Sequence, residues 1–196
     1  MKIIGLTGGS GTGKGTVAAR MRSLGAGWVD ADAVYRGLCA ENREMLDALD
    51  AAFGGVTDEN GALDRPKLAK IVFSDPEKLA ELNRITTPYI RAASLAAIRA
   101  QSACPVVLYD APTLFEARLE FLCGSIVSVT ADPENCVQRI MKRDGITEEL
   151  ARARLKSQHG EEFYRQRSGF CIENNGTQRQ LAEAAQGVIS QLKGGK

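Results

Sequence analysis

The sequence predicts an α/β fold in which five parallel strands form one sheet with helices on both faces. Three observations predict it. First, an apolar run at residues 2–7 precedes a glycine-rich turn and a helix-forming segment. Second, apolar runs at 105–110 and 125–130 have the pattern of buried strands. Third, helical segments separate these runs. Strands that alternate with helices are joined in parallel, because each helix carries the chain back across a face of the sheet. Shorter strands at 27–30 and 170–173 complete the predicted sheet.

The composition is that of an ordinary globular protein. The chain has 196 residues, of which 44% are hydrophobic and 25% are charged, and this size suits one domain. A net charge of +1 argues against a broad nucleic-acid-binding surface, which needs many basic residues. No apolar stretch approaches the roughly 20 residues that span a bilayer, and no targeting segment precedes the first strand. We therefore expect a cytoplasmic monomer with neither a nucleic-acid nor a membrane partner.

Cysteine and histidine usage favours neither a disulfide framework nor a metal site. The five cysteines, at positions 39, 104, 123, 136 and 171, are odd in number and widely spaced, which is typical of reduced thiols. The only histidine is His159. We expect it on the surface rather than in a ligand set.

The first strand leads into a phosphate loop, residues 8–16. Gly8 is followed four residues later by Gly13 and Lys14, which is the Walker A spacing. In such a loop backbone N–H groups surround nucleotide phosphates, glycines permit the close approach, and the lysine reaches the β and γ phosphates. The predicted nucleotide-binding residues are Gly9, Ser10, Gly11, Thr12, Gly13, Lys14, Gly15 and Thr16. The alternative, a glycine-rich turn without a ligand, requires the strand, the helix and the lysine to coincide by accident.

The second strand ends near two acidic residues, Asp30 and Asp32. Open α/β sheets bind ligands at the carboxyl ends of their strands, so both carboxylates are candidates for function. The alternative is that one of them caps a helix that starts at Ala33. The position favours a functional role for Asp32 and leaves Asp30 open.

Residues 33–101 are helical in pattern throughout. We expect a helix over 33–53 with a break near 39–42, and further helices over 65–73, 76–86 and 88–101, with proline early in each of these three. A long helical insertion after the second strand is interpreted as a substrate-covering segment. The alternative is that the segment only forms a packed core, and most of its apolar residues have that role.

The third strand ends at Asp110, which occupies a Walker B position and is expected to help hold Mg²⁺. Gly15 stands where a serine or threonine normally offers a hydroxyl to the metal. The candidate metal residues are therefore Thr16 and Asp110, acting through water, and ATP oxygens and water are expected to supply the other ligands.

Basic residues crowd into the segment 139–167. They are Arg139, Lys142, Arg143, Arg152, Arg154, Lys156, Arg165 and Arg167. Such a segment is most often a solvated helical face. Beside a phosphate loop it is interpreted as a lid, because arginine binds phosphate in bidentate fashion and stabilises a transferring phosphoryl group.

The chain resembles the dephospho-CoA kinase family over most of its length. The resemblance is carried by the phosphate loop, by Asp30-Ala31-Asp32 with Arg36, by Leu114-Phe115-Glu116, by Arg139, Arg143 and Gln158, and by Asn174-Asn175-Gly176. Four positions depart from the family pattern: Gly15, Thr87, Thr113 and Ser168-Gly169. The resemblance implies a three-layer P-loop kinase fold in one domain over 1–196, with an acceptor-binding insertion at about 33–101 and a lid at about 139–167.

The same resemblance implies a reaction and a set of roles. The reaction is the transfer of the γ-phosphoryl group of ATP, with Mg²⁺, to the ribose 3′-hydroxyl of dephospho-CoA, which is the last step of coenzyme A synthesis. Asp32 would accept the hydroxyl proton, and Lys14 with a lid arginine, foremost Arg139 and then Arg152 or Arg154, would offset phosphate charge. The remaining implied roles are adenine binding by Arg143, Asn175 and Gly176, and acceptor binding by Asp32, Arg36, Leu114, Phe115 and Glu116.

Two other functions stay open at this point. One is another small-molecule or nucleoside monophosphate kinase, because the motif Gly-Lys-Gly-Thr also occurs in adenylate kinases. The other is a nucleotide-dependent switch protein without an acceptor, which would leave Asp32 and the arginine-rich segment without a role.

Overall fold

The five predicted strands are present in a computed structural model that describes residues 1–194. They are β1 (Lys2–Thr7), β2 (Gly27–Asp30), β3 (Val106–Asp110), β4 (Ser125–Thr130) and β5 (Phe170–Glu173). They form one sheet in the order β2-β3-β1-β4-β5. The pairs β1–β3, β1–β4 and β4–β5 are parallel, with Leu6 opposite both Asp110 and Val127. The predicted five-stranded α/β sheet is therefore confirmed.

The helices follow the strands in the expected alternation. They are α1 (Lys14–Ser23), α2 (Ala31–Glu41), α3 (Arg43–Phe53), α4 (Arg65–Phe73), α5 (Pro76–Ala100), α6 (Pro133–Asp144), α7 (Glu148–Lys156), α8 (Glu161–Arg167) and α9 (Gln178–Gly194), with a 3₁₀ turn at Glu120–Leu122. Among residues 1–194, no helix combines the length and the apolar character that crossing a membrane requires.

The chain divides into two compact units, one of residues Met1–Val29 with the chain from Gln101 onward, and one of Asp30–Ala100. In the first unit, every residue of β3 is buried, as expected of a strand covered on both faces. One apolar cluster joins the sheet to α1 and α9, and includes Leu6, Val17, Met21 and Ile189. This cluster sets the direction in which the phosphate loop leaves β1 and enters α1.

The second unit packs α2 to α5 around a core of its own. The core includes Met45, Leu49, Val56, Leu68 and Val72. The predicted break between its first two helices is confirmed at Asn42, whose side chain accepts a hydrogen bond of 2.9 Å from the backbone of Met45.

The prediction of two helices at 76–86 and 88–101 is wrong, because α5 runs unbroken through Pro88. An internal proline lacks an N–H donor and crowds the carbonyl four residues earlier, which costs about 3 kcal/mol. Side chains on both sides of Pro88, including Leu82, Ile85 and Tyr89, pack against the apolar core of this unit. We attribute the continuity of the helix to this packing, which the local pattern does not reveal.

Candidate nucleotide-binding site

The phosphate loop has the backbone that its glycines predict. Gly13 precedes α1 with φ 94°, in the left-handed region. A Cβ at this position would lie 2.2 Å from Nδ2 of Asn174. Gly11 has φ 79°, and a Cβ there would lie 2.6 Å from the carbonyl oxygen of Cys136. Both positions therefore require glycine for conformation and for space.

Hydrogen bonds hold several carbonyl groups of the loop. The Thr12 hydroxyl donates to the carbonyl of Gly9 at 2.9 Å, Arg139 Nη1 donates to the carbonyl of Gly11 at 3.2 Å, and Asn174 Nδ2 donates to the carbonyl of Thr12 at 2.8 Å. Thr12 is 6% exposed, so its side chain supports the loop from within.

A cavity of about 1010 Å³ opens above the loop. The predicted site residues on its wall are Gly9, Ser10, Gly11, Gly13, Lys14, Gly15, Thr16, Glu116, Arg139 and Arg143. The wall also contains residues that the sequence analysis assigned no role, namely Pro112, Ser157, Gln158 and Tyr164, together with His159. We refer to this space as the main cavity.

Lys14, on the wall of the main cavity, forms an ion pair with Asp110. Asp110 is 7% exposed and also accepts a hydrogen bond of 3.3 Å from Trp28 Nε1. The sequence analysis selected Lys14 and Asp110 and missed Trp28, since a tryptophan in an apolar strand carries no signal beyond packing. The lysine and the carboxylate thus meet at the carboxyl end of the sheet.

The oxygen donors here suit Mg²⁺ held largely by other ligands. Thr16 is exposed on the wall of the main cavity, and Asp110 offers a carboxylate. No cluster of three or more His, Cys, Asp or Glu residues that could enclose a metal occurs among residues 1–194. Mg²⁺ is commonly bound by one or two carboxylates together with substrate phosphates and water, so this sparse donor set fits it.

Arg143 lies at the same wall and is tied to both α6 and the loop. Its Nε donates to Asp144 at 2.7 Å, and its Nη2 donates to the Ser10 hydroxyl at 3.3 Å. Arg154 of α7 donates to the same Asp144 carboxylate. Hydrogen bonds from Arg143 and then Arg154 lower the pKa of Asp144 to about 2. Among the other arginines of the segment 139–167, Arg152 is held by Glu134 at 2.7 Å and by Glu148 at 2.8 Å.

An aromatic cluster surrounds Glu116 at another part of the wall. His159 stacks on Phe163 with ring centroids 3.6 Å apart, and its Nε2 lies 3.6 Å from Glu116 Oε1. Burial, and then the charge of Glu116, raises the pKa of Tyr164 to about 12. The His159 side chain is 43% exposed, as expected of a surface residue, but the surface it occupies belongs to the main cavity. An isolated histidine in the sequence gives no sign of this.

Two residues of the Leu-Phe-Glu motif, Leu114 and Phe115, are not part of the wall of the main cavity. Leu114 was expected to bind the acceptor, but it is fully buried and packs near Gly5. It therefore has no exposed surface with which to contact a ligand in this structure. Phe115 lines a separate cavity of about 590 Å³, together with Glu116 and His159.

In the unit of residues 30–100, Asp30 is the cap of α2. Its Oδ1 accepts hydrogen bonds from the backbone of Asp32 at 2.9 Å and of Ala33 at 3.1 Å, and Arg36 lies 3.5 Å from its Oδ2. The helix begins at Ala31, so the expected start at Ala33 is wrong. Asp32 lies in the first turn and is exposed. Capping therefore accounts for Asp30 and not for Asp32.

The predicted adenine-binding turn lies just past β5. Asn175 accepts a hydrogen bond of 2.7 Å from the backbone of Asp132 and donates one of 2.9 Å to its carboxylate. Asn175 and Gly176 are exposed and are not part of the wall of the main cavity. The reciprocal bonds explain why Asp132, the residue just before α6, makes no side-chain capping bond.

Gln158 and Asn174 are the site residues with the clearest contacts that received no role from the sequence. Gln158 Oε1 accepts a hydrogen bond of 2.8 Å from the backbone N–H of Ser10. Both residues belong to the matches that carry the family resemblance, which was the available signal. Neither type of side chain suggests phosphate chemistry by itself.

Comparison with known proteins points to one family. A family model described as dephospho-CoA kinase matches residues 2–180. A dephospho-CoA kinase of Syntrophotalea carbinolica is 40% identical over 98% of this chain and 92% of its own length. Among solved structures, TT1252 from Thermus thermophilus has a TM-score of 0.82 and 37% identity, with 97% of each chain covered.

Two further solved structures agree with the fold. Dephospho-CoA kinase from Campylobacter jejuni has a TM-score of 0.71 and 25% identity, and the match covers 97% of this chain and 96% of that one. A shikimate kinase from Acinetobacter baumannii, at 20% identity and a TM-score of 0.50 over 98% and 92% of the two chains, shares the fold alone. The predicted P-loop kinase fold is confirmed.

Proposed function

The chain belongs to the dephospho-CoA kinase family, and we infer that it transfers the γ-phosphoryl group of ATP to the ribose 3′-hydroxyl of dephospho-CoA, giving coenzyme A and ADP. The observation that carries this inference is the intact phosphate loop with Lys14 on the wall of the main cavity. Cytoplasmic location and a monomeric state stay predictions.

We propose that the first unit supplies phosphate binding and charge compensation. Phosphoryl transfer depends mainly on positioning and on electrostatic stabilisation of the transferring group. The Lys14 ammonium and the loop N–H groups would hold the β and γ phosphates, and Arg139 would add positive charge at the wall. Thr16 and Asp110, through water, would hold Mg²⁺ together with phosphate oxygens, and the ion would supply neutralisation of phosphate charge.

Arg143 and the turn at Asn175 and Gly176 are proposed to hold the adenine of ATP. The support for Arg143 is its bond to Ser10 of the loop and its orientation by Asp144. The support for the turn is its fixed geometry against Asp132.

Asp32 is proposed as the general base. It would accept the proton of the acceptor 3′-hydroxyl as the bond from that oxygen to the γ phosphorus forms and the bond from phosphorus to the β-γ bridging oxygen breaks. The carboxylate would then hold the proton, and the leaving group would be ADP. Arg36, Phe115 and Glu116 stay proposed acceptor-binding residues, with Glu116 supported by its place on the main cavity wall.

Acceptor-dependent ADP release tests the function. With ATP and Mg²⁺ present, we expect dephospho-CoA to stimulate ADP release and coenzyme A to form in equal amount, whereas AMP and shikimate should not stimulate it. Lys14→Ala should lower turnover by roughly 10³-fold, because it removes charge compensation in the transition state. Stimulation by AMP or shikimate instead would indicate a different small-molecule kinase. Slow ADP release that no acceptor stimulates would indicate a switch protein.

Asp32→Asn tests the proposed base. Asn keeps the shape of the side chain but cannot take the proton, and the loss of a general base typically costs about 10²- to 10⁴-fold in rate. ATP affinity and melting temperature should change little, since Asp30 provides the cap of α2. Asp47→Asn, at an exposed position of α3, is the matched control and should keep full activity. Activity of Asp32→Asn within about threefold of the wild type would remove Asp32 from the role of base.

A further inference from the structure

Asn174 connects three parts of the first unit at the end of β5. Its backbone N–H donates to the carbonyl of Thr130 at 2.8 Å, which fixes it at the end of β4. Its carbonyl accepts a bond of 2.9 Å from Arg139 of α6. Its side-chain Nδ2 donates to the carbonyl of Thr12 in a buried bond of 2.8 Å. Asn174 is 7% exposed, so its side-chain bond to Thr12 is shielded from water.

Arg139 extends this connection to the neighbouring carbonyl of the loop. One nitrogen of its guanidinium donates to Asn174 and the other donates to the carbonyl of Gly11. The carbonyls of Gly11 and Thr12 are consecutive. Two donors from outside the loop thus hold two successive peptide groups.

A held carbonyl also sets the direction of the next N–H group. The peptide bond is planar and trans, so its C=O and its N–H point to opposite sides. Asn174 binds the carbonyl of the Thr12–Gly13 peptide, and the N–H of Gly13 therefore points away from Asn174. Asn174 Nδ2 also fills the space beside Gly13 that a side chain at residue 13 would need. Gly13 itself lies on the wall of the main cavity.

We propose that Asn174 is a positioning residue for nucleotide binding, which orients the Thr12–Gly13 peptide so that the loop presents its N–H groups to phosphate. A loop that is already oriented loses less conformational entropy when the nucleotide binds, and the affinity is therefore higher. The proposal rests on the proposed function only in that the ligand is a nucleoside triphosphate.

The test compares variants that leave the backbone bonds of Asn174 intact. Asn174→Ala removes only the donor to Thr12. Asn174→Asp keeps the shape and places a carboxylate oxygen against the Thr12 carbonyl. Asn60→Ala, at an exposed position in the other unit, is the matched control. Calorimetry with ATP measures the dissociation constant, and melting temperature reports folding.

We expect Asn174→Ala to bind ATP about 10-fold more weakly, because the buried Thr12 carbonyl loses its donor. Asn174→Asp should bind ATP more weakly still, because the same carbonyl would face a negative charge. KM for ATP should rise in step while KM for dephospho-CoA stays unchanged. The amide resonance of Gly13 should shift in the ATP-free variants. A variant that is only less stable should have a lower melting temperature but an unchanged KM for ATP and an unshifted Gly13 resonance.

Two outcomes separate this proposal from the proposed function. Weak ATP binding by the Asn174 variants, together with a wild-type protein that does not phosphorylate dephospho-CoA, would support the positioning role and overturn the acceptor. Wild-type ATP affinity in Asn174→Ala, within about twofold, would overturn the positioning role whatever the acceptor is. Should Asn174→Ala fail to fold, Asn174→Asp with the Gly13 resonance decides the question by the same criteria.

Discussion

Gly15 is one of the residues at which this chain departs from the family pattern, and the structure makes the departure testable. It lies exposed in the first turn of α1, and a Cβ at this position would meet nothing within 4 Å. Gly15→Ser should therefore fold normally and gain about 0.5 kcal/mol from reduced freedom of the unfolded chain. The new hydroxyl should lower the Mg²⁺ concentration that gives half-maximal activity.

Gly15→Ala separates the two effects of that substitution. It should raise the free energy of unfolding by a similar amount without changing the Mg²⁺ requirement. Thermal unfolding and a Mg²⁺ titration at fixed ATP measure both quantities. An equal Mg²⁺ requirement in the serine and alanine variants would show that the added hydroxyl does not reach the metal.

Single residues were predictable where their type and their position in a motif or at a strand end together indicate a chemistry. Lys14 and Asp110 were selected from the sequence, and the structure pairs them. Gln158 and Asn174 were not assigned roles, because an amide serves equally well on a surface, in a turn or in a core. What distinguishes them is the partner, Ser10 for one and Thr12 for the other, and each partner lies about 150 residues away in the chain.

At the scale of elements, Asp144 at the end of α6 pairs with Arg143 of the same helix and joins α6 to α7 through Arg154. These arginines lower its pKa from 3.8 to about 2. A lowered carboxyl pKa stabilises the folded state above the unfolded pKa, and the stabilisation is lost as pH falls from about 4 toward 2. A carboxyl carbon titration by NMR should therefore place Asp144 near 2.

Removing one arginine should show which pair is responsible. Arg154→Ala should raise the pKa of Asp144 toward its ordinary value while Arg143 still holds part of the shift. Arg152→Ala is the matched control, because Arg152 binds Glu134 and Glu148 instead. An unchanged titration of Asp144 in Arg154→Ala would mean that the connection between the two helices is absent in solution.

Two helix boundaries were predictable from a capping side chain. Asp64 accepts a bond of 3.0 Å from Lys67 at the predicted start of α4, and Asn42 marks the break between α2 and α3. Pro88 misled the prediction, because a proline signals a helix start and equally a tolerated interruption. Only the apolar contacts on either side of it, which are tertiary, decide between these outcomes.

At the scale of the whole molecule, the class of fold followed from the alternation of apolar strands and helices, and the strand order did not. Periodicity identifies a buried strand but not its neighbours. The order β2-β3-β1-β4-β5 places strands together that are far apart in the chain, with Lys2 opposite Val106. The second compact unit, Asp30–Ala100, covers nearly the same residues as the helical insertion expected at about 33–101.

The central place of β1 has a consequence for biosynthesis. Its partners in the sheet leave the ribosome about a hundred residues later, which at ordinary rates of translation is roughly 5 to 20 s. Asn174, the donor to the carbonyl of Thr12, is made later still. For most of its synthesis, the nascent chain therefore carries the phosphate loop without the contacts that hold the loop in shape. We expect nucleotide binding to assist folding only after Asn174 has been synthesised. A chain that ends before Asn174 should be stabilised little by nucleotide.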